Sequence, residues 1–528
     1  MSDVYKQAGN MTSPSAIVVG GGLAGMVVAR ELAVRGWRVI LLESTKRLGG
    51  KAGSNIKNGR RVEHGYHVFP KWYPNVRAIL DRIGVHLIDF DRYHFLVPGG
   101  YPRKITVLGP SSFSTVWHYI FNGLLPWYHN ILYLYSVLDM ISRPLSEKRR
   151  LDQVSQIGLI RGKWYTSESL AEMGQENVLK ASAIPVYDLS AMTAKRIASY
   201  WVRQGSPFLS ILPGDLQTVF IDPQVRELED LAVEIRYDSE VCNIVMRDEI
   251  VSAVALRDGT ELSADVYALC TPFEVTRTWL HDNLYEIDPE LGNMHLLEAQ
   301  PMAALHLSLH TELPDLPGEH VFFHGSHYAL SFIDVGRHWK GVDDGKGGQQ
   351  LSFISSNYGP LSAVSEEGAK NLLLEEIREY LPITPADVKD WELNPNTNVP
   401  LFINTIGAWS NRPRPKTKIK NLYLAGDYVK NAIDLACMEG AVSAALEAAS
   451  QILQDRGETG QLPVAQVPPE WPRALLVAIR ILSIPVVAVA RVIAWLEDKF
   501  SPHSPYASDV HRKATPSLQR DPRPPRKL

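Results

Sequence analysis

Three glycines near the amino terminus have the spacing needed to hold a pyrophosphate group against the main chain. Gly20, Gly22 and Gly25 follow the short β-branched run at residues 16–19. Gly20 permits a tight turn, Gly22 lets the backbone approach the phosphates, and Gly25 lets the next helix pack closely on the strand. This pattern predicts a dinucleotide site. A glycine turn that binds nothing is the alternative.

The elements around these glycines complete a strand–helix–strand unit. Residues 23–35 predict a helix that begins with Leu23 and Ala24, whose free N–H groups and positive dipole end would face the phosphates. Residues 37–42 predict a second strand, and Glu43 stands at its end. An acidic residue about 20 positions past the glycines is suited to accept hydrogen bonds from the adenosine ribose.

The run from residue 43 to residue 54 distinguishes FAD from NAD. It resembles the extended fingerprint of the amine-oxidase and carotenoid-desaturase superfamily, in which a Gly-Gly-(Arg/Lys) run follows the ribose acid. The resemblance implies that FAD is the cofactor. It also implies that the flavin nucleotide lies against Ser44, Gly49, Gly50, Lys51 and Ala52.

A second motif of the same superfamily lies near the carboxyl terminus. An apolar strand at residues 421–424 leads to Gly426 and Asp427, and a helix of small residues follows. The resemblance implies that Asp427 binds the ribityl or pyrophosphate part of FAD. It implies that the helix start points at the flavin ring, through Met438, Glu439, Gly440 and Ala441, and that Val241 meets the adenine. A strand–helix unit with a structural aspartate is the alternative.

Three stretches are most similar to the phytoene and ζ-carotene desaturases of the plant and cyanobacterial type: residues 63–75, 212–225 and 421–450. The chain departs from that pattern at His64 and throughout residues 111–200. The resemblance implies hydride transfer from a long apolar lipid, most simply an isoprenoid or carotenoid, to flavin N5. Candidate catalytic residues are Arg60, Glu63 and His67. An amine oxidase, an isoprenoid isomerase and a non-catalytic flavin- or lipid-binding protein stay open.

The predicted fold is α/β, with a Rossmann-type FAD-binding domain and an interleaved α+β substrate domain. The predicted FAD-binding parts are residues 16–110, 211–285 and 416–457. The other predicted segments are a flexible amino terminus (1–15), a helical aromatic-rich cap (111–210), a substrate domain of sheet and helices (286–415), a linker (458–472), amphipathic membrane-associated helices (473–500) and a disordered basic tail (501–528).

Two apolar segments suggest a lipid surface as a partner. Residues 113–141 are rich in tyrosine and tryptophan, which favour the membrane interface; a buried helical cap over the substrate is the alternative. Residues 473–496 are apolar, but Arg480, Pro485 and Arg491 interrupt them. The pattern favours an element that lies in the membrane surface over a helix packed on the body or a true span. A quinone is the electron acceptor that suits such a setting.

Composition limits the remaining classes. The formal net charge of −4 gives no reason to expect nucleic acid, and three cysteines without a paired motif predict no disulfide framework. No metal site is expected. With a polar amino terminus in place of a secretory signal, we expect a peripheral protein on the cytoplasmic side of a membrane.

Overall fold

The computed structural model describes residues 13–57, 60–108, 113–144, 148–167, 170, 179–180, 182–185, 187–203, 205–339, 348–458, 460–469 and 471–500. The predicted basic tail, most of the predicted flexible amino terminus and the side chain of Arg60 lie outside the described part.

The strands are short and spread along the whole described chain. They are β1 (Ser15–Val19), β2 (Arg38–Leu42), β3 (Asn55–Lys57), β4 (Arg60–Val62), β5 (Ile88–Phe90), β6 (Arg92–Leu96), β7 (Ile105–Leu108), β8 (Leu209–Ile211), β9 (Glu234–Arg236), β10 (Val241–Arg247), β11 (Ile250–Leu256), β12 (Glu261–Leu262), β13 (Val266–Leu269), β14 (Glu298–Gln300), β15 (Ala303–Leu309), β16 (Val321–Phe323), β17 (Leu330–Asp334), β18 (Gln349–Ser355), β19 (Val388–Pro395), β20 (Leu401–Ile403) and β21 (Leu422–Leu424).

The α-helices are α1 (Leu23–Ala33), α2 (Pro74–Arg82), α3 (Phe113–Ile120), α4 (Trp127–Ile141), α5 (Lys148–Asp152), α6 (Gln156–Ile160), α7 (Ala191–Arg203), α8 (Asp222–Asp230), α9 (Phe273–Trp279), α10 (Asp282–Ile287), α11 (Glu366–Tyr380), α12 (Ala408–Asn411), α13 (Met438–Asp455) and α14 (Arg473–Phe500). Short 3-10 turns and one π segment, Gln217–Ile221, complete the described elements.

A parallel five-stranded sheet forms the dinucleotide-binding half. Its order is β21-β13-β1-β2-β9, so strands from three distant parts of the chain meet in one sheet. All residues of β1, β13 and β21 are buried, as expected for a parallel sheet covered on both faces, whereas the edge strand β9 has no buried residue. Helices α1 and α13 pack together, and their buried side chains belong to one core. The Rossmann-type prediction is confirmed.

A mixed seven-stranded sheet forms the second half, in the order β19-β15-β18-β17-β16-β6-β7. Its apolar residues share a core with α11. Strands β6 and β7 lie within the predicted first FAD-binding segment, yet they pair here. The turn at Gly259 joins β11 to the short strand β12, whereas β13 belongs to the parallel sheet.

The segment predicted as several amphipathic helices is one helix, α14, which runs through Pro485. It packs against α4, and Arg480 donates to Asp139 Oδ1 at 3.0 Å and to Ser142 Oγ at 2.9 Å. His129 Nε2 lies 2.9 Å from Glu497 Oε2 farther along the same contact. The predicted polar face of α14 is therefore turned in part toward the body of the protein.

Candidate functional site

The carboxyl ends of the parallel strands bring the two sequence motifs to one edge of the sheet. Gly20 follows β1, Glu43 follows β2, Thr271 lies just after β13, and Gly426 lies just after β21. Strand β1 has β2 on one side and β13 on the other. In open α/β sheets, ligands bind in the crevice at such a switch point.

The second and third glycines of the first motif have different surroundings. Gly22 precedes α1 in extended backbone, with φ −71° and ψ 179°, and a Cβ atom added there would have no atom within 4 Å. A Cβ atom at Gly25 would lie 1.9 Å from the carbonyl oxygen of Gly20. Gly22 therefore leaves open space beside the helix start, whereas Gly25 allows the helix to pack on the turn.

The Glu43 carboxylate is fixed in place by its own loop. Its Oε2 accepts a hydrogen bond from Gly21 N at 2.9 Å, and its Oε1 accepts from Thr45 N and Thr45 Oγ1, both at 2.9 Å. The side chain lines the cavity at the end of β2. Gly21 and Thr45 had no place in the sequence prediction, because their role depends on the shape of the loop.

One cavity of about 1330 Å³ runs from this edge into the second half of the protein. Most of the predicted cofactor-binding residues line it: Gly20, Gly22, Leu23, Ala24, Glu43, Ser44, Gly49, Gly50, Lys51, Ala52, Val241, Gly426, Asp427, Met438 and Ala441. The volume exceeds the roughly 300–1,000 Å³ that is usual for one small-molecule pocket. The cavity is large enough for a dinucleotide and a second, long ligand.

Three predicted cofactor-binding residues stand behind this lining. Glu439 is fully buried, and its carboxylate accepts from Asn75 N at 3.0 Å and from Val76 N at 2.9 Å, which fixes the start of α2. Burial raises the pKa of Glu439 to about 7. A Cβ atom at Gly440 would lie 2.1 Å from the carbonyl oxygen of Leu435. Gly25 and Gly440 thus allow close packing, and Glu439 joins two helices.

The cavity wall fits FAD. The first-turn N–H groups of α1 have no partner within the helix and lie beside the open space at Gly22. The second motif brings Asp427 and the start of α13 to the same cavity. An eighteen-residue helix places its positive dipole end where negative charge on a reduced flavin ring would be stabilised.

The catalytic candidates occupy different positions. His67 lines the cavity. Glu63 is buried behind it, with Oε1 accepting from Leu216 N at 2.7 Å and Oε2 lying 3.7 Å from His67 Nδ1. Arg60 belongs to β4, which pairs with β3 beside the flavin loop. Desolvation, and then the nearby His67, Lys51 and Arg47, lower the pKa of His64 to about 3, so this imidazole stays neutral near pH 7.

The far part of the cavity is apolar and aromatic. Val116 and Tyr119 of α3, Tyr133 and Val137 of α4, and Ile479 of α14 all contribute to its wall. The aromatic segment thus forms two helices whose side chains line the cavity. Local sequence patterns did not indicate four polar lining residues, Tyr66, Lys180, His320 and Ser331, because they lie far apart along the chain and meet only in the folded protein.

Comparisons with known families agree with this geometry. Residues 208–453 match the family described as flavin containing amine oxidoreductase, and residues 18–83 match the NAD(P)-binding Rossmann-like domain. The two matches contain both sequence motifs and the strands that carry them. The prediction of a flavin cofactor is confirmed.

Several proteins with similar sequences are named as phytoene or ζ-carotene desaturases. The chain is 23% identical to a 15-cis-phytoene desaturase of Arabidopsis thaliana over 481 residues, which cover 86% of this chain and 83% of that protein. It is 24% identical to a probable ζ-carotene desaturase of Synechococcus elongatus, with coverage of 83% and 98%.

Solved structures show the same fold. Putrescine oxidase bound to putrescine aligns with a TM-score of 0.61 and 15% identity, covering 84% of this chain and 99% of that one. Cyclohexylamine oxidase from Brevibacterium oxydans aligns with a TM-score of 0.62 and 14% identity, covering 84% and 100%. The family matches and the similarity to desaturases together identify the chain as a flavin-dependent oxidoreductase that is similar to the phytoene and ζ-carotene desaturases.

Proposed function

We propose that this protein desaturates a long isoprenoid chain, of which a carotenoid precursor is the simplest case. The observation that carries the proposal is the single cavity, which joins the glycine cradle at Gly22 to the apolar wall formed by α3, α4 and α14. The similarity to phytoene and ζ-carotene desaturases supports the same reaction.

Bound FAD would supply a hydride acceptor, N5 of the flavin ring, and the residues of the chain would bind and orient the cofactor and the lipid. Gly22 and the start of α1 hold the phosphates, Glu43 holds the ribose, and Asp427 with the start of α13 holds the flavin end. The apolar walls orient the lipid and exclude water, so that one C–H bond of the lipid would be held next to the flavin ring.

Loss of the second hydrogen as a proton requires a base beside the cavity. Among the named candidates, His67 lines the cavity, and we assign the proton to its imidazole. Glu63 lies behind it and serves as a positioning residue, with Oε2 3.7 Å from His67 Nδ1. His67 would take the proton from the carbon next to the C–H bond that yields a hydride, and bound FAD would supply the two-electron acceptor that balances formation of the carbon–carbon double bond.

We propose that the lipid enters from a membrane on which α14 lies. Residues Arg473–Glu497 form a helix that is long and apolar enough to cross a membrane. Its packed face is fully buried at Ala490 and Ala494, whereas Leu482 is 78% exposed and Val489 is 57% exposed. One side held to α4 and one side apolar and exposed suit a helix lying in the membrane surface.

Several features suit this arrangement. Ile479 and Leu476 of α14 also line the cavity, so the helix adjoins both the membrane and the substrate. Trp117 of α3 and Phe121, which follows that helix, stack with their ring centroids 6.0 Å apart and are exposed. We further propose that a membrane-soluble quinone reoxidises the flavin, and that the membrane is reached from the cytoplasmic side.

Anaerobic flavin reduction tests the proposed reaction. Purified, FAD-loaded protein is mixed with detergent-dispersed phytoene, ζ-carotene, squalene or the terminal epoxide of squalene, and with putrescine and cyclohexylamine in parallel, while the flavin absorbance is followed. We expect bleaching by an isoprenoid and none by the amines. Bleaching by an amine alone would replace desaturation with amine oxidation, and no bleaching by any compound would refute the proposal.

A further inference from the structure

One wall of the cavity is polar, although the rest of the lipid part is aromatic and aliphatic. The wall is a single face of the seven-stranded sheet, on which side chains two residues apart along a strand point the same way. Phe322 of β16 pairs with Phe95 of β6 on one side and with Ser331 of β17 on the other. His320 precedes β16 on the same face, and all four side chains line the cavity.

A hydrogen-bonded chain crosses this wall. The phenol oxygen of Tyr66 lies 2.8 Å from Ser331 Oγ and is hydrogen-bonded to His320 Nε2. His320 is 6% exposed, and its Nδ1 has no hydrogen-bond partner among the described residues. Burial raises the pKa of Tyr66, and burial lowers that of His320 to about 3, so the phenol stays protonated and the imidazole neutral.

The direction of the hydrogen bonds between Ser331, Tyr66 and His320 determines whether His320 Nδ1 is a donor or an acceptor. When Ser331 donates to Tyr66 and Tyr66 donates to His320 Nε2, the imidazole proton resides on Nδ1. Nδ1 is then a buried N–H donor in the wall of a ligand cavity. A buried donor without a partner costs about 1–3 kcal/mol, which a ligand oxygen would recover and a hydrocarbon would not.

A cation stands beside the same wall. The ammonium of Lys180 lies 5.7 Å from the centre of the Phe322 ring and 6.0 Å from that of Phe95, and it donates to the carbonyl of Phe323. The rings of His320 and Phe322 are 4.2 Å apart, so Lys180 and His320 flank one aromatic residue. Lys180 also lines the cavity.

Three phenols extend the polar region. Tyr93, Tyr119 and Tyr133 line the cavity, and the rings of Tyr119 and Tyr133 stack at 6.3 Å. Burial first, and then the neighbouring phenols of Tyr133 and Tyr93, raise the pKa of Tyr119. The cavity therefore presents phenol donors from the helices opposite the polar wall as well as the ammonium of Lys180, and these donors suit an oxygen acceptor on the ligand.

We propose that the isoprenoid substrate carries an oxygen-containing group, such as a hydroxyl, epoxide or carbonyl, and that this group binds between His320 and Lys180. The inference rests on the proposed function and narrows its substrate class from pure hydrocarbons to oxygenated isoprenoids. Donors in an otherwise apolar site fix the orientation of a ligand and discriminate against an analogue that lacks the acceptor.

Equilibrium binding of a matched pair of lipids tests this site. Detergent-dispersed squalene and its terminal epoxide differ by one oxygen atom, and their binding to the FAD-loaded protein is followed by the flavin absorbance change. We expect the epoxide to bind about ten- to hundredfold more tightly, which is the effect of one or two hydrogen bonds that include a charged donor. Lys180→Met and His320→Leu should each remove most of this preference.

Two further variants separate recognition from packing. Tyr66→Phe keeps the ring but breaks the chain to His320, so the preference should fall while FAD content stays normal. Ile354→Val removes one methylene from the same wall, so the affinity for both lipids should fall by the same factor. The ratio of the two affinities should therefore stay at the wild-type value.

Equal affinity of the wild-type protein for the two lipids, with flavin reduction by either, would overturn the polar site and leave desaturation intact. A preference that survives both Lys180→Met and His320→Leu would also overturn it. If neither lipid binds and none of the isoprenoids in the reduction assay bleaches the flavin, the proposed function itself fails, and the polar site fails with it.

Discussion

Two glycines at opposite ends of α1 should respond to alanine in opposite ways. Gly22 has φ −71°, which alanine adopts freely, whereas Gly36 has φ +81°, in the left-handed region that disfavours a side chain. At both positions an added Cβ atom meets nothing within 4 Å. The two substitutions add the same methyl group to open space. They differ in backbone strain and in distance from the proposed phosphate site.

For Gly22→Ala we expect normal stability of the apoprotein and weak FAD binding. Lower chain entropy in the unfolded state contributes about 0.4–1 kcal/mol of stability, and the poorer helix cap costs a similar amount, so the sum is near zero. The methyl group would stand between the backbone and the pyrophosphate. Losing one charge-assisted hydrogen bond of about 1.5–3 kcal/mol raises the FAD dissociation constant about 10- to 100-fold.

Gly36→Ala should give the reverse pattern. The strained backbone should cost about 1–2 kcal/mol of unfolding free energy, with the FAD dissociation constant unchanged. Urea unfolding of the apoproteins measures the first quantity, and titration with FAD followed by flavin fluorescence measures the second. Wild-type FAD affinity in Gly22→Ala would refute the position assigned to the phosphates. Equal loss of affinity in both variants would show that the effect arises from general destabilisation.

Three other outcomes follow from buried charge and exposed apolar surface. Because the pKa of Glu439 is raised to about 7, the folded protein holds a proton that the unfolded chain releases near pH 4.5. As the pH rises from about 4.5 to about 7, the stability of the wild-type protein should fall relative to that of Glu439→Gln. A difference in melting temperature between the two proteins that does not change with pH would contradict this. Arg143, Tyr165 and Arg480 lower the pKa of Asp139 despite its desolvation, so its contribution to stability is present above its unfolded pKa near 3.8 and is lost as the pH falls through the lower folded value. Asp139→Asn should therefore expose α14 to proteolysis at neutral pH. Unchanged cleavage kinetics in this variant would argue against the contact between Asp139 and Arg480. The double variant Leu482→Asn with Val489→Asn should no longer cosediment with lipid vesicles. The control variant Ile56→Asn, which changes a side chain that is 67% exposed on β3, should cosediment like the wild-type protein. Retention of vesicle binding by the double variant would refute a membrane-facing α14.

Local chemistry was predictable from sequence. The glycine spacing, the strand before it and the acid after it belong to one continuous segment, so the positions of Gly22 and Glu43 at the strand ends followed directly. The second motif at Asp427 followed in the same way. Such short-range patterns encode backbone conformation, and the parallel sheet then brings them together.

Long-range pairing was not predictable from these patterns. Strands β6 and β7 look like a continuation of the first flavin segment, but β6 pairs with β16 in the other sheet and β7 pairs with β6 at its edge. Glu439 belongs to a flavin motif, yet its carboxylate bonds to Asn75 and Val76, because a motif does not specify which way each side chain points. His320 and Tyr66 are 254 positions apart and meet only in the folded protein.

The central claim is that the flavin takes two hydrogens from an isoprenoid held in the same cavity. A single anaerobic turnover tests it most directly: FAD-loaded protein is mixed with excess isoprenoid, the fraction of reduced flavin is read from absorbance, and the lipid is analysed by mass spectrometry. We predict one product molecule, lighter by two hydrogen atoms, for each flavin reduced. A product of unchanged mass formed with the flavin still oxidised would establish isomerisation and contradict the account.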